Sequence, residues 1–311
     1  MSTGSGFGKS ILFGEHFVVY GLPAIASALG SQTVATITVN EGKGWTVDDQ
    51  RPATPGYKKK KFDEAQEAIQ NVIDFMKIDT ETQKLDIHFA GDLYAASGVG
   101  ASAAQVASLA RALNEEFKMG WNDEQINDAA YEGEKAYHGT PSGIDNAAAT
   151  FGGLIWFERN LSGGKNTIKS IESKKKIPLV IGNTGLTAST TEVVGDVKKI
   201  KEENSEEFDD YLIEYQKISE KAKKALEEGD VETIGKLMNL NHTLLQKITV
   251  SCKELDTLVD LARINGALGA KMTGTGRGGL AIAIAPNEET QDKIAKSFEE
   301  NGFRAWKSTV G

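Results

Sequence analysis

The stretch of this chain best suited to holding an anion is Ser97-Gly98-Val99-Gly100-Ala101-Ser102-Ala103-Ala104. Two glycines separated by one residue let a backbone turn tightly against a ligand, and the small residues after them are good helix formers. A helix starting there aims unpaired N–H groups and the positive end of its dipole back at the turn, the geometry that binds phosphate. On these residues alone two readings stay open: a glycine turn that only starts a helix, or a loop that cradles a nucleotide pyrophosphate. The stretch lacks the Gly-Lys-Ser/Thr of a Walker A loop and the third glycine of a dinucleotide-binding turn. Two further small-residue stretches, around Lys9 and around Gly274, have compositions that an ordinary core does not need. Gly14-Glu15-His16 sets two adjacent ionisable side chains at a break between apolar runs. Glu134 is followed by His138-Gly-Thr-Pro-Ser-Gly-Ile-Asp145, a segment dense in turn residues.

These residues need elements to position them. Lys9 to Tyr20 reads as two strand pieces either side of Gly14-Glu15-His16, and Ala24 to Leu29 and Val34 to Asn40 continue a β meander. Gly42 to Gly44 gives a hairpin turn into Trp45 to Asp48. Asp49 to Lys61, with Pro52, Pro55, Gly56 and four successive lysines, reads as an exposed loop whose lysines form a solvated surface. Phe62 to Met76 has helical apolar spacing, and Leu85 to Ala90 alternates as a strand before the glycine loop. Asn122 is placed to cap a helix that runs to Tyr137 and delivers Glu134. Leu154 to Phe157 is a strand. Lys174 to Pro178, a basic run and a proline, marks a domain boundary, giving domains 1–177 and 178–311. Beyond it, Glu192 to Lys201, Phe208 to Glu228, Val231 to Lys247 and Lys253 to Asn265 read as amphipathic helices. Strands at Ala267 to Lys271 and Leu280 to Ile284 flank Thr273 to Gly279. A helix at Glu288 to Asn301 and a strand at Phe303 to Ser308 complete an α+β pattern, richer in β early and in α late.

Composition excludes several classes. A formal net charge of -9 and a pI near 5.2 argue against a general nucleic-acid or anionic-membrane surface, so an anionic substrate must be met by a few local cations. The single cysteine, Cys252, rules out an intrachain disulfide framework or thiolate cluster. No stretch approaches the ~18 apolar residues of a membrane span, and no targeting segment is evident, so the expected setting is cytoplasmic.

Three blocks, Gly8-Lys-Ser-Ile-Leu-Phe-Gly-Glu-His-Phe-Val-Val-Tyr-Gly21, Ser97 to Ala104, and Lys271-Met-Thr-Gly-Thr-Gly-Arg-Gly-Gly279, resemble in order and spacing the three signature motifs of the GHMP kinases. Within that superfamily the first block and His138-Gly-Thr-Pro-Ser-Gly-Ile-Asp-Asn146 resemble the mevalonate kinases, in particular the shorter ones, and the similarity covers nearly the whole chain. The resemblance implies a two-domain fold: a β-rich N-terminal domain, a helix-rich ferredoxin-like C-terminal domain, and an active site in the cleft that they form. It also implies use of ATP and Mg2+. The chain departs from the family's pattern at Gly6-Phe7, where Ala-Pro is usual, at Tyr94 in place of proline, at Ala101 in place of a serine, and at Arg277 in place of a small residue.

Roles follow from the resemblance. Ser97, Gly98, Val99, Gly100, Ala101 and Ser102 would cradle the nucleotide phosphates, with Gly274 and Gly276 approaching from the third block. Ser102 and Glu134 would hold magnesium, which needs only one or two protein oxygens. Asp145 would take or orient the proton of the acceptor hydroxyl, and Lys9 would pair with Asp145 and stabilise developing charge. Glu15, His16 and Thr190 sit at positions that the family associates with substrate, and Arg159 is our candidate clamp for the mevalonate carboxylate. Taken singly, Glu134 reads as an exposed helix carboxylate, Asp145 as a turn or cap residue, His16 as a structural histidine, Thr190 as a helix N-cap and Arg159 as a surface arginine. His138 is read as structural, and no histidine spacing supports zinc. The leading expectation is ATP-dependent phosphorylation of the C5 hydroxyl of mevalonate by a monomer or homodimer. The alternatives are another acceptor (phosphomevalonate, homoserine or a sugar) or a non-catalytic sensor on the same scaffold.

Overall fold

A computed structural model of the protein describes residues 1–95 and 98–311. Ser97, expected in the phosphate loop, lies outside the described residues. The chain forms two compact units, one of Met1–Lys9 with Ala28–Gly152 and one of Ser10–Ser27 with Gly153–Gly311. Strands β1 (Ser2–Phe13) and β2 (Ala24–Glu41) each contribute residues to both.

The first unit is built on β2, β3 (Gly44–Asp49) and β4 (Gln83–Gly91), with helices α1 (Tyr57–Lys60), α2 (Phe62–Phe75), α3 (Ala101–Glu116), α4 (Asp123–His138) and α5 (Ile144–Phe151). From Thr33 to Thr38, β2 alternates buried and half-buried residues, as a strand covered on one face must. Val34 pairs antiparallel with Ala90, and Val39 with Leu85. The expected hairpin after Gly42 does not form: β3 pairs parallel with β4, Trp45 opposite Leu85, so β4 lies between its neighbours. Parallel pairing requires a crossover, which α1 and α2 supply. Leu85, Ile87 and Phe89 of β4 join Ala68, Ile69, Val72 and Ile73 of α2 and Val106, Leu109 and Leu113 of α3 in one buried cluster. Each such large side chain contributes about 1.5–3 kcal/mol on burial.

Helix α3 is buried nearly all round because its alanines let it lie against backbone. A Cβ at Gly6 would stand 2.3 Å from the Ala104 carbonyl oxygen, so the departure from Ala at position 6 matches a close strand–helix approach. Asn122 caps α4 in a capping box with Gln125, as its type predicts. The segment 49–61 is not simply an exposed loop: Arg51 is buried and Tyr57–Lys60 is helical, while Lys59 and Lys60 remain exposed.

The second unit has two β layers. Ala24–Ser27 of β2 pair with β5 (Leu154–Glu158), and β5 with β6 (Thr167–Ile171). A four-stranded antiparallel sheet follows in the order β10-β7-β9-β8, from β7 (Ile177–Asn183), β8 (Gly269–Thr273), β9 (Leu280–Ile284) and β10 (Arg304–Val310). Helices α6 (Thr190–Glu203), α7 (Ser205–Glu228), α8 (Val231–Lys247) and α9 (Lys253–Ile264) separate β7 from β8, and α10 (Glu288–Glu300) separates β9 from β10. Strand, helices, two strands, helix, strand is the ferredoxin-like pattern. Phe17–Tyr20, expected as strand, is instead a 3-10 turn. The Phe17 ring stacks on buried Tyr215 with centroids 4.3 Å apart, and this packing overrides the β preference of Phe-Val-Val-Tyr. Among the described residues no helix is long and apolar enough to cross a membrane.

Candidate active site

Lys9, at the end of its unit's share of β1, is locked to the glycine loop by its backbone. Its N–H donates to the Val99 carbonyl at 2.8 Å, and Gly100 leaves no room for a side chain, since a Cβ there would be 2.8 Å from the Lys9 Cγ. Gly100 also holds φ 68, a left-handed conformation suited to glycine, and it is the N-cap of α3 with no side chain closing the helix end. Amides at the start of a 16-residue buried helix therefore face the loop without side-chain partners, as an anion cradle requires.

Lys9 is buried and its Nζ lies 3.0 Å from Asp145 Oδ1. Asp145 is in the first turn of α5, not in an open loop, because Gly143 caps that helix two residues earlier. Glu134, one turn before the end of α4, is fully buried, contrary to its reading as an exposed carboxylate, and neither carboxylate oxygen has a hydrogen-bond partner. Burial, followed by the charge of Asp145, pushes its pKa up to about 8, although the Ser102 hydroxyl and Lys9 pull the other way. An oxygen pair desolvated and left unbonded is costly unless something binds it, and a hard cation fits the donor set of Glu134 and the adjacent Ser102 hydroxyl. His138, read as structural, is one helical turn on, with Nε2 3.6 Å from Glu134 Oε2. Burial lowers its pKa, opposed by Asp145.

Arg51 was not anticipated. Its side chain is 4% exposed, it grips Asp49 with Nε and Nη2 at 2.9 and 2.7 Å, and its Nη1 donates to the Ala101 carbonyl at 3.0 Å. The guanidinium also lies 5.5 Å from the Phe89 ring centre. Arg51 thus fastens the first residue of α3. Two prolines and a lysine run mark its neighbourhood as loop, and no local signal separates it from a surface arginine.

In the second unit the centre is Thr275, between Gly274 and Gly276. Its carbonyl accepts from His16 Nε2 at 2.8 Å and its hydroxyl bonds the Thr190 hydroxyl at 2.8 Å, so the His16 and Thr190 of the sequence reading do meet. Thr190 is the first residue of α6 and not its cap, which is Ser189. His16 is buried with φ 63, a conformation uncommon outside glycine, and burial lowers its pKa against the pull of the Thr275 carbonyl. Glu15 beside it is buried in an ion pair with Lys271, whose Nζ also donates to the Met272 carbonyl at 2.7 Å. Arg277 reaches Asp196 on α6 at 2.7 Å and the Thr249 carbonyl at 3.1 Å, which assigns the extra charge of the third block to a pair within its own unit. Arg159 is exposed just past β5.

Comparison with known proteins fits this arrangement. Residues 65–153 match the GHMP kinases N terminal domain and residues 222–304 the GHMP kinases C terminal family, so the class is that of the GHMP kinases. Over 303 residues the chain is 33% identical to the mevalonate kinase of Thermococcus gammatolerans, covering 91% of this chain and 89% of that protein. A crystal structure of L. major mevalonate kinase in complex with R-mevalonate superposes with a TM-score of 0.96 at 43% identity, covering 100% of this chain and 96% of that one. The Methanococcus jannaschii mevalonate kinase gives 0.83 at 25% identity, covering 99% and 98%. The chain belongs to the mevalonate kinase family.

Proposed function

We infer that the protein transfers the γ-phosphoryl group of ATP to the C5 hydroxyl of mevalonate, giving 5-phosphomevalonate and ADP. The observation that carries this reading is the buried Lys9 ammonium 3.0 Å from Asp145, fixed by its own backbone against the glycine loop. Asp145 accepts the proton of the acceptor hydroxyl. The oxygen so exposed bonds the γ-phosphorus as the bridge to the β-phosphate breaks, and Lys9 offsets charge on the acceptor oxygen. The amides of Gly98 to Ser102 hold the phosphates, and Gly274 and Gly276 offer backbone contact from their loop. Magnesium, held by Ser102 and Glu134, supplies charge neutralisation when bound. His16 and Thr190, joined through Thr275, belong to the acceptor side with Arg159, and Glu15 anchors the turn that carries His16. We propose domains 1–177 and 178–311, a cytoplasmic setting, and action as a monomer or homodimer.

Asp145→Ala tests the reading. It should lower kcat by about 10³-fold or more while ATP affinity, measured by displacement of a fluorescent nucleotide, stays within a few fold. Turnover near that of the parent would remove Asp145 from the chemistry. A panel of phosphomevalonate, homoserine and galactose in place of mevalonate checks the acceptor, and faster turnover of any of these would reassign it.

A further inference from the structure

His138 has a place that a structural histidine does not need. Glu134 and His138 are four residues apart at the C-terminal end of α4, so both side chains leave the same face of the helix. Asp145 enters from the first turn of α5, and one donor atom from each of the three lies within 4.8 Å of the others. Both Glu134 oxygens are buried without a hydrogen-bond partner, whereas the His138 side chain is 50% exposed, so the cluster has an open side. The negative end of the α4 dipole points at the same spot and favours a cation. Lys9 offsets the Asp145 charge, and once a metal displaces the Glu134 proton that carboxylate supplies a charge of about −1 to the ion.

Two carboxylates and one imidazole are not what magnesium prefers. Mg2+ takes oxygen donors in a strict octahedron, whereas imidazole suits the transition series. We propose that His138 is a metal-ligating residue that joins Glu134 and Asp145 in a nitrogen-containing site for a transition-series divalent cation such as Mn2+ or Co2+. The inference rests on the reading of Glu134 as a metal ligand and adds a third, nitrogen donor. It makes the site's choice among metals depend on a residue that a magnesium-only site leaves unused.

The test uses the full chain without nucleotide. Mn2+ is titrated while the free-ion paramagnetic resonance signal is followed, and the bound Mn2+ is examined by electron spin-echo modulation for imidazole nitrogen. One bound ion per chain with nitrogen coupling is expected. His138→Ala should abolish the coupling and weaken Mn2+ by about tenfold or more, while Mg2+, read by competition, changes less than about twofold. His138→Asn and the melting temperature of each variant control for folding, which an exposed side chain should barely affect. Absence of nitrogen coupling in the parent, or equal Mn2+ affinity in parent and His138→Ala, would overturn the proposal. Glu134→Gln separates the two readings. If it weakens both metals while His138→Ala weakens neither, only the histidine inference falls. If it weakens neither metal, the assignment of Glu134 as a ligand falls as well.

Discussion

Among the described residues two glutamates, Glu15 and Glu134, are withdrawn from solvent, and they are treated in opposite ways. Glu15 in the second unit is buried against the Lys271 ammonium. Glu134 in the first unit is as deeply buried, yet neither of its oxygens is hydrogen-bonded. A buried ion pair holds a conformation, here the turn that sets His16 at φ 63. A buried carboxyl without a hydrogen bond is tolerated by holding its proton, which makes it a candidate for completion by a ligand. The difference is the one expected if Glu15 builds the site and Glu134 takes part in the chemistry proposed for it.

The contrast is sharpest in the glutamine and alanine variants. Glu134→Gln replaces a buried carboxyl that holds its proton up to about pH 8 with a neutral amide of similar shape. Its turnover should fall by about 10²–10³-fold and its magnesium requirement should rise, while its stability in urea stays equal to the parent or improves. Near-normal turnover with unchanged metal dependence would break the comparison at its catalytic end. Glu15→Ala leaves Lys271 buried and uncompensated, and should cost about 3–5 kcal/mol in urea unfolding. Glu15→Ala with Lys271→Met should recover much of that loss, because the lone charge is gone. If the double variant is no more stable than Glu15→Ala, the pair is not the anchor.

The same contrast has a pH signature. Glu134 binds its proton more tightly folded, at about 8, than its ordinary 4.5, so in metal-free protein that contribution is complete below 4.5 and is lost as pH rises through 8. His242 in the second unit works in the other direction. Burial lowers its pKa to about 4, its Nε2–H donates to Asp256 at 3.1 Å and its Nδ1 accepts from the Met272 amide at 3.3 Å. Its contribution is complete above 6.5 and is lost as pH falls towards 4. Chelator-treated protein should therefore show a melting temperature that declines on both sides. Glu134→Gln should flatten the alkaline limb alone. An alkaline limb unchanged in that variant would show that Glu134 is not the group titrating.

Most of the elements were legible because their signals are local. Val231–Lys247 and Leu280–Ile284 form with the bounds that periodicity predicts, and the Asn122 cap is visible in the residue type alone. Pairing was not local, and so Gly42 to Gly44 suggested a hairpin where β4 intervenes. The same limit applied to Phe17–Tyr20, whose β-prone side chains are decided by the distant ring of Tyr215. In the candidate site, the roles expected of Lys9, Glu134 and Asp145 come from the family resemblance as a whole, not from any one residue. Arg51, Lys271 and Thr275 were missed because each acts through a partner far off in sequence: Ala101, Glu15 and His16. Glu134 was misjudged singly for the same reason, since burial is a property of packing and α4 offers no local mark of it.

The smallest effect concerns Arg277, which holds φ 51 where the family's third block usually has a small residue. Two terms oppose each other there. A non-glycine residue in the left-handed region costs about 1 kcal/mol, and the Asp196 pair, both side chains a third or more exposed, returns about as much at best. Arg277→Gly loses the pair but also the backbone strain, so its stability should match the parent within about 1 kcal/mol. Arg277→Ala loses the pair and keeps the strain, so it should be the less stable of the two by about 1 kcal/mol. Urea unfolding of the three proteins in one buffer reads this order directly. If alanine equals glycine, the backbone at position 277 relaxes on substitution and strain is not what the pair offsets. If both variants lose several kcal/mol, the bonds of Arg277 to Asp196 and to the Thr249 carbonyl form a structural tie comparable to Glu15 and Lys271, and the line drawn between the paired and unpaired charges of the two units would have to move.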